Sequence, residues 1–504
     1  MKLTIVYTSD VHGQLTSCHY PTNERQNKGL VRLKSALETL EGPTLLLDNG
    51  DILQGSVLLD YQRQHAKVYD HPVVTAMTHL PYAAMTLGNH DFNYGQAYLY
   101  DVLNQLNIPV VCANLKTDKG ERVFEPYIIK DINGLNVAII GAITHYVPVW
   151  EKPEHIEGLV FEDALSAVKE TVLDVKDNVD LVIVLYHGGF ERDLTTGEPI
   201  GRATSENQGY QMAQLEGVDL LLCGHQHLPT VKEIPQGPLV LQPPANATHV
   251  GVATFEKQAD RWLKTGQLLP LNTPIDPRLN DALGPLEEAT QAWLDTPVAT
   301  SPINCEIKDP FLARKDNHPL FQWIHSLQLE KTGADLSIAS LPNDAPGFKE
   351  TIHLRDVAAN FVYPNTLIVL KMTGEALLAA IHQSVNYVKR DQHTFVINEA
   401  FIYPKVEHYN YDSYYPLDLD VLYNKDGTFT LKTALHGKPI DPQKHYTVVL
   451  NNYRAAGGGD YTMFKDATLL KEYDASMFDL AVARLKKDGA LMLPKANRLN
   501  FILN

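Results

Sequence analysis

The amino-acid sequence predicts an α/β domain with buried sheets, followed by a linker helix and a second domain. Short apolar runs alternate with helical patterns through the first half of the 504 residues. The alternation stops near the middle of the chain, where Pro, Asn and Asp are frequent and one helical stretch, Pro285–Asp295, stands alone. New helix and strand patterns then begin. We therefore expect domains over 1–270 and 301–504, joined by a linker over 271–300 that contains the helix.

The elements of the first half are short and alternate in type. Apolar residues three and four positions apart indicate helices over Gly29–Leu40, Gln96–Leu106 and Ala164–Leu173. Short runs rich in Val, Ile and Leu indicate buried strands. These strands are Leu3–Thr8, Thr44–Leu47, Ala83–Leu87, Val110–Cys112, Asn136–Ile140, Leu181–Leu185, Leu220–Cys223, Leu239–Leu241 and Val250–Phe255.

The second half contains one strong helical pattern and one hairpin pattern. Apolar residues recur at helical spacing over Gly374–Val388. Alternating apolar residues over Leu417–Tyr423 are followed by the turn Asn424–Gly427 and a second run, Thr428–Leu431, which together predict a β-hairpin. We find no internal repeat.

The charge of the chain excludes some classes of partner. Lys and Arg number 43 against 60 Asp and Glu, so the net charge is −17. Such a chain repels phosphate backbones and anionic membranes unless a bound cation intervenes. We therefore expect no polymeric nucleic acid and no membrane as a partner. The oligomeric state stays open.

The cysteine content and the N-terminal residues indicate in which cellular compartment the protein is expected. The four Cys residues are scattered, which argues against a disulfide scaffold. The apolar stretch Leu3–Thr8 is too short for a signal-peptide core, and no run approaches the ~20 apolar residues of a membrane span. If Met1 is the native start, the expected location is the cytoplasm.

Five predicted strands are each followed by a turn that contains Gly together with His, Asp or Asn. Any one of these turns would usually be a helix cap, a surface loop or a hydrogen-bonded histidine. In open α/β sheets, however, ligands bind at the carboxyl ends of strands, so the five turns together predict one binding site. The turns are Ser9–Gly13, Asp48–Asp51, Gly88–Asp91, Tyr186–Gly189 and Gly224–His227.

The donors in these turns are imidazole, carboxylate and amide groups without a thiolate. This set disfavours a structural zinc site and suits divalent transition metals such as Mn, Zn, Fe or Co. Seven donors exceed the needs of one ion, whereas two ions ~3.5–4 Å apart that share a carboxylate would use them all. The candidate ligands are Asp10, His12, Asp51, Asn89, His187, His225 and His227.

The order of these motifs resembles the calcineurin-like metallophosphoesterases. The second half is similar to the two-domain 5′-nucleotidase family, in its branch with 2′,3′-cyclic-nucleotide phosphodiesterase activity. The matching segments are Tyr363–Leu367, Tyr409–Asp412 and Asn451–Gly459. The resemblance implies an N-terminal four-layer α/β/β/α sandwich, a linker helix and a smaller α+β C-terminal domain that binds substrate.

The resemblance also assigns the ligands. It implies one metal ion held by Asp10, His12 and His227 and a second held by Asn89, His187 and His225. Asp51 would bridge the two ions.

The same resemblance places His90 as the catalytic side chain that points at the scissile phosphate. Two cations would lower the pKa of a bound water toward ~7, and the resulting hydroxide would attack phosphorus. His90 would neutralise the phosphate or protonate the leaving group. Many 5′-nucleotidases have Asp three residues after this His, where this chain has Asn93. Asn93 therefore favours cyclic diester substrates.

A tyrosine-rich segment in the second half is the candidate base-binding region. Six tyrosines lie within residues 401–423, which predicts either an aromatic hairpin packed on itself or a stacking face for a nucleobase. The resemblance implies stacking residues at Tyr411 and Tyr453 and further substrate contacts at Asn343 and Gly458. The glycine run at Gly458 has the alternative interpretation of a flexible loop.

The leading functional expectation is hydrolysis of 2′,3′-cyclic nucleotides, with 3′- or 5′-nucleotidase activity in addition. A plain 5′-nucleotidase or a nucleotide-sugar hydrolase is the enzyme alternative. A non-catalytic nucleotide-binding scaffold is the alternative from another class, although a scaffold has no use for seven metal donors. The expected partner is a small nucleotide.

Overall fold

The computed structural model describes residues 2–200, 204–258, 261–363, 365–403, 405–473 and 475–503. The chain divides into two compact units, Met1–Thr290 and Gln291–Asn504, so the division falls inside the expected linker. Pro364, part of one segment on which the family resemblance rests, lies outside the described residues.

Two sheets packed face to face form the first unit. Ile5 and Tyr7 share a buried cluster with Ile139 and Ile183 of the other sheet. The neighbouring Val6 is also buried, so the first strand is covered on both faces. One sheet contains, in spatial order, Arg261–Pro270, His249–Gln258, Lys2–Thr8, Thr44–Asp48 and Tyr82–Met85. The other contains Thr230–Glu233, Leu239–Gln242, Leu220–Cys223, Leu181–His187, Leu135–Ile143 and Tyr127–Ile132.

Helices in the first unit complete the layers. Ala164–Val175 packs Val168 and Val172 against the outer face of the six-stranded sheet. This architecture confirms the predicted fold class. The α-helices are Leu33–Leu37, Val57–Gln64, Pro72–His79, Gly95–Leu106, Val147–Trp150, Ala164–Val175 and Gly209–Met212, with two short strand pairs, Cys18–His19 with Glu24–Arg25 and Leu115–Thr117 with Leu159–Phe161.

The central strands of both sheets run parallel, which positions the site. Lys2–Thr8 pairs in parallel with Thr44–Asp48, which pairs in parallel with Tyr82–Met85. Leu181–His187 pairs in parallel with Leu220–Cys223. Within each sheet the strands therefore end at one edge, and the five donor-bearing turns begin there.

Several predicted elements differ from the structure. The linker helix spans Pro277–Leu294 and thus begins before Pro285, because Asp276 Oδ1 accepts a hydrogen bond from the Arg278 N–H and caps an earlier start. Val110–Cys112 is no strand and makes only isolated bridges. The helix predicted over Gly29–Leu40 is a 3₁₀ turn followed by the short helix Leu33–Leu37.

The second unit contains a five-stranded sheet and a three-stranded sheet around one core. The predicted hairpin is confirmed as Leu417–Tyr423 paired antiparallel with Phe429–Leu435. The helix predicted over Gly374–Val388 ends at Val385, since a strand begins at Val388. Leu377 and Ile381 of this helix lie in the core.

Short strand pairs and helices surround these two sheets of the second unit. The five-stranded sheet has the order Ser413–Tyr415, Leu336–Ala339, His445–Asn451, Leu367–Thr373 and Thr468–Tyr473, and the other has Phe429–Leu435, Leu417–Tyr423 and Leu499–Leu503. Strand pairs are Pro297–Thr300 with Thr351–His353, Cys305–Glu306 with Gly347–Phe348, and Val388–Asp391 with Thr394–Ile397. The α-helices are Pro310–Lys315, Pro319–Thr332, Leu354–Asn360, Gly374–Val385, Asn452–Ala455 and Met477–Asp488. Among the described residues, none of the helices combines the length and hydropathy that crossing a membrane requires.

Candidate metal centre

The first group of donors gathers Asp10, His12 and His227. Their ligand atoms all lie within 4.8 Å of one another. His227 Nε2 is 3.2 Å from Asp10 Oδ1 and 3.2 Å from His12 Nε2. Burial lowers the pKa of His12 to about 3, so its imidazole is neutral, the form that binds a metal. Two imidazole nitrogens and a carboxylate oxygen thus face one point.

The second group joins Asp51 and His187 to Asp10, again with all ligand atoms within 4.8 Å. His187 Nδ1 lies 2.7 Å from the carbonyl oxygen of Asn49 and donates to it, which leaves Nε2 as the basic nitrogen. His187 Nε2 is 3.2 Å from Asp51 Oδ2 but makes no hydrogen bond, although it is buried. A buried nitrogen aimed at a carboxylate without a hydrogen bond fits a cation placed between them.

Asn89 and His225 form the third part of the cluster. His225 Nδ1 is 2.8 Å from Asn89 Oδ1, while His225 Nε2 is 2.7 Å from Glu206 Oε1. Trp150 stacks on the His225 ring, with centroids 5.3 Å apart and planes at 27°. Glu206 therefore lies behind His225 as an orienting carboxylate, as is common for metal-binding histidines.

The pKa values of the central carboxylates reflect the surrounding imidazoles. Burial favours the neutral acid, but the positive charges of His187 and His90 hold the pKa of Asp51 well below its usual value. Burial disfavours the His187 imidazolium, but the Asp51 carboxylate raises the pKa of His187 to about 10. The ionised carboxylates therefore create a negative potential that favours a cation, whether proton or metal.

Five of the seven candidate ligands adopt a left-handed backbone conformation that side chains other than Gly rarely take. Such strain persists where the surrounding structure enforces it, and it concentrates at functional sites. Close approach of the turns is also required, since a Cβ on Gly50 would overlap the backbone of Gly88. The five residues are Asp10 (φ 54°), His12 (φ 49°), Asp51 (φ 58°), His225 (φ 69°) and His227 (φ 57°).

Asp91 organises the turns that carry Asp51 and Asn89. Its carboxylate accepts hydrogen bonds from the N–H groups of Gly88 at 2.8 Å, Asp51 at 3.0 Å and Ile52 at 2.9 Å. Burial raises the pKa of Asp91, and the charge of Asp51 adds to that effect. Sequence reasoning gave this residue no separate role, although its place two residues after Asn89 was visible.

His90 lies at the edge of the cluster. Its backbone N–H donates to Asp51 Oδ1 at 2.7 Å, and its ring centroid is 5.4 Å from that of His12. Its Nδ1 is 2.9 Å from Asn93 Oδ1. The backbone of the proposed catalytic residue is thus fixed to the carboxylate that is proposed to bridge the ions.

The second unit corrects the prediction for Tyr411. Its side chain is 2% exposed and packs near the rings of Phe321 and Tyr387, so it offers no face to a base. The half-buried Tyr409 lies beside Tyr453 instead, with ring centroids 6.5 Å apart and planes at 74°. Tyr409 was visible in the sequence, but nothing there distinguished it from its neighbour.

The other two predicted substrate residues support these tyrosines. Asn343 Nδ2 donates to the Val406 carbonyl at 2.7 Å, and its Oδ1 accepts from the Tyr409 N–H at 3.4 Å. A Cβ on Gly458 would overlap the Tyr453 ring, so Gly458 makes room for that ring. In the structure both residues contact protein groups of the tyrosine region, and direct contact with substrate stays a prediction.

A buried ion pair holds the two loops of this region together. Arg454 Nε lies 2.9 Å from Asp412 Oδ2, and both side chains are buried. The guanidinium also donates to the carbonyls of Tyr409, at 3.0 Å, and Gly458. One arginine therefore ties the Tyr409 loop to the glycine run.

Comparisons with known proteins agree with both units. Residues 3–229 match the calcineurin-like phosphoesterase family, and residues 298–466 match the 5′-nucleotidase C-terminal domain. A solved Staphylococcus aureus protein, named as an inferred 5′-nucleotidase, is 31% identical, with a TM-score of 0.92 and full coverage of both chains. The chain belongs to the calcineurin-like phosphoesterases that carry a 5′-nucleotidase C-terminal domain.

Curated relatives of this phosphoesterase carry related names. It is 27% identical to the 2′,3′-cyclic-nucleotide 2′-phosphodiesterase/3′-nucleotidase of Haemophilus influenzae, over 91% of this chain and 80% of the relative. It is 26% identical to the trifunctional nucleotide phosphoesterase protein YfkN of Bacillus subtilis, over 92% of this chain but only 36% of that longer protein. The predicted family is confirmed, and the chain is an enzyme that hydrolyses phosphoester bonds.

The structure of this phosphoesterase brings together all seven side chains that the sequence indicated as ligands. Sequence reasoning missed Glu206 and Trp150, which contact His225 from segments with no metal-binding pattern. Two of the four predicted substrate residues, Tyr411 and Gly458, have packing roles in the structure. Which side chains hold which ion stays a proposal.

Proposed function

We propose that this phosphoesterase hydrolyses nucleotide phosphoesters with two divalent transition-metal ions, and that 2′,3′-cyclic nucleotides are its preferred substrates. The observation that carries the proposal is the buried Nε2 of His187, which faces Asp51 Oδ2 at 3.2 Å without a hydrogen bond. The ions are Mn, Zn, Fe or Co, because the donors mix imidazole, carboxylate and amide groups.

The proposed ligand sets are those that the family resemblance implies. Asp10, His12 and His227 would hold one ion, and Asn89, His187 and His225 the other, with Asp51 between them. Two such cations lower the pKa of a bound water and offset charge on a phosphate. The protein keeps His225 oriented for this task by Glu206 and Trp150.

His90 is the proposed catalytic side chain. Its backbone N–H donates a hydrogen bond to Asp51, which fixes the backbone of His90 next to the cluster. In this position His90 would bind a phosphate oxygen or move a proton to the departing oxygen of the sugar.

Tyr409 and Tyr453 are the proposed base-binding pair. Stacking between an aromatic ring and a base contributes ~1–3 kcal/mol and depends little on which base is present. Arg454 and Asn343 hold Tyr409 in place through its backbone. Broad base specificity is therefore expected.

The preference for cyclic diesters rests on Asn93. An amide beside His90 supplies no full negative charge, so the imidazolium that helps a monoester is less stabilised than beside a carboxylate. The name of the Haemophilus influenzae relative agrees with this preference. The Staphylococcus aureus structure favours plain 5′-nucleotidase activity as the second candidate, since it is named for that activity.

A substrate panel with added Mn²⁺ tests the proposal. We expect higher kcat/KM for 2′,3′-cyclic AMP than for 3′-AMP, 5′-AMP or a nucleotide sugar. A preference for 5′-AMP would support the second candidate and contradict the interpretation of Asn93. Activity on none of the four compounds would contradict nucleotide hydrolysis itself.

A further inference from the structure

A short segment next to the metal cluster reaches two imidazoles through consecutive residues, one of them directly and the other through Asn93. The helix Val147–Trp150 ends with Trp150 stacked on His225. The next residue, Glu151, reaches Asn93, whose Nδ2 donates to Glu151 Oε2 at 2.7 Å. Asn93 Oδ1 in turn lies 2.9 Å from His90 Nδ1. A carboxylate therefore stands behind the amide that contacts the proposed catalytic histidine.

Glu151 is held firmly by its own segment. Its Oε1 accepts from the Lys152 N–H at 2.9 Å and lies 2.8 Å from His155 Nδ1. The carboxylate side chain is only 7% exposed. Since Oε1 is occupied by its own segment, Oε2 is directed to Asn93, and the contact is built rather than incidental.

The direction of these hydrogen bonds fixes a proton on His90. An ionised carboxylate only accepts, so Asn93 must present its NH₂ group to Glu151. The carbonyl oxygen of Asn93 must then face His90, and His90 Nδ1 must carry a hydrogen to donate to it. In the neutral ring, a hydrogen on Nδ1 makes Nε2 the basic nitrogen.

We propose that Glu151 is a positioning residue that acts through Asn93 to fix the tautomer and orientation of His90. This inference rests on the proposed function only in taking Nε2 as the substrate-facing atom. It gives Asn93 a role beyond replacing an aspartate. The Asn93 NH₂ group donates to Glu151, so the Asn93 carbonyl oxygen faces His90 and accepts from its Nδ1. Without the Glu151 carboxylate, the side-chain amide of Asn93 can rotate by 180° and present its NH₂ group to His90. His90 can then adopt the tautomer with hydrogen on Nε2.

The test uses Glu151→Gln, in which either end of the new amide can face Asn93. Glu154→Gln is the matched control, because Glu154 is an exposed glutamate of the same segment and its loss changes the charge equally. Asn93→Asp combined with Glu151→Gln is the rescue variant, since a carboxylate at 93 accepts directly from His90 Nδ1.

The first readout is the protonation of the His90 ring nitrogens, measured by long-range ¹H–¹⁵N correlation on zinc-loaded protein labelled in histidine. The signals are assigned by their loss in His90→Asn. We expect hydrogen on Nδ1 in the unmodified protein and in Glu154→Gln, a mixture of tautomers in Glu151→Gln, and recovery in the rescue variant. Unchanged Nδ1 protonation in Glu151→Gln would overturn the proposal.

The second readout separates positioning from general loss of structure. With 2′,3′-cyclic AMP we expect kcat to fall about 10-fold in Glu151→Gln, as for loss of other orienting partners, with a smaller change in KM and partial recovery in the rescue variant. With bis(p-nitrophenyl) phosphate, whose leaving group needs no proton, the loss should be smaller. Equal losses on both substrates, without rescue, would contradict the proposal. If the unmodified protein hydrolyses no nucleotide, the proposed function fails while the tautomer measurement still decides this inference.

Discussion

The rings of Tyr409 and Tyr453 lie beside each other, with centroids 6.5 Å apart and planes at 74°. Tyr409 lies in the turn His408–Asn410 and Tyr453 in the short helix Asn452–Ala455. The buried Arg454 of that helix donates hydrogen bonds to the carbonyls of Tyr409 and Gly458. The pair is therefore held in place by the fold, and both rings are only partly buried, unlike Tyr411.

Replacing Tyr409 should separate nucleotide turnover from turnover of a substrate without a base. For Tyr409→Ala we expect KM for 2′,3′-cyclic AMP to rise about 10-fold, because one stacking face is lost. Turnover of bis(p-nitrophenyl) phosphate should change little. Steady-state kinetics on both substrates measure this, with Tyr411→Phe as the control that keeps the buried ring. An unchanged KM for 2′,3′-cyclic AMP in Tyr409→Ala would show that the corrected assignment is wrong.

Glu206 should contribute to metal affinity through His225. In Glu206→Gln we expect an affinity about 10-fold weaker for the second ion, since the bond of 2.7 Å between Glu206 Oε1 and His225 Nε2 loses its charge. Calorimetric titration of the metal-free protein with Mn²⁺ measures the effect. Glu198→Gln changes the charge equally at an exposed glutamate nearby in the sequence and is the control. Equal Mn²⁺ affinities in the two variants would show that Glu206 does not contribute to metal binding.

Asp48 should make the stability depend on pH. Its buried carboxyl accepts from the Thr8 hydroxyl at 2.6 Å and the Gly50 N–H at 3.0 Å, yet burial raises the pKa of Asp48 to about 7. An acid whose pKa is raised by folding stabilises the protein below its unfolded pKa of ~4, and this stability is lost as the pH rises toward 7.

The variant Asp48→Asn removes that ionisation. Relative to the unmodified protein, we expect it to gain about 2–3 kcal/mol in free energy of unfolding between pH 5 and pH 8. Urea unfolding at both pH values, with equal metal content, measures the gain. A difference between the two proteins that stays constant from pH 5 to pH 8 would show that Asp48 does not titrate in this range.

Arg454 should be essential to the stability of the second unit. Arg454→Met leaves the Asp412 carboxylate buried without its ion-pair partner, so we expect a loss of about 3–5 kcal/mol in unfolding free energy. The double variant with Asp412→Leu should regain most of the loss, because both charges are then absent. Urea unfolding of both variants measures these free energies. If Arg454→Met were as stable as the unmodified protein, the predicted role of Arg454 would be contradicted.

The strand ends and the ligand-bearing turns could be predicted from the sequence because they depend on local patterns. Apolar runs marked the strands, and parallel pairing then brought residues as distant as Asp10 and His227 to one edge. The sequence predicts a linker helix that is too short, because Pro is typical of the first turn of a helix, whereas the structure accommodates Pro285 inside a helix that begins at Pro277.

Side chains that act through a neighbour could not be predicted in this way. Glu151 and Glu206 lie in segments without a motif, and their roles depend on which imidazole nitrogen they face. The choice between Tyr409 and Tyr411 depends on packing around Phe321, which is remote in sequence. Each of these roles depends on tertiary contacts, which no periodic pattern in the sequence predicts.

Anomalous diffraction from crystals grown with Mn²⁺ would locate the ions that the phosphoesterase is proposed to bind. We expect two manganese peaks about 3.5–4 Å apart, with the Asp51 carboxylate between them and His12 and His187 on opposite ions. A single peak, or peaks that the Asp51 carboxylate does not join, would contradict the proposed two-metal centre.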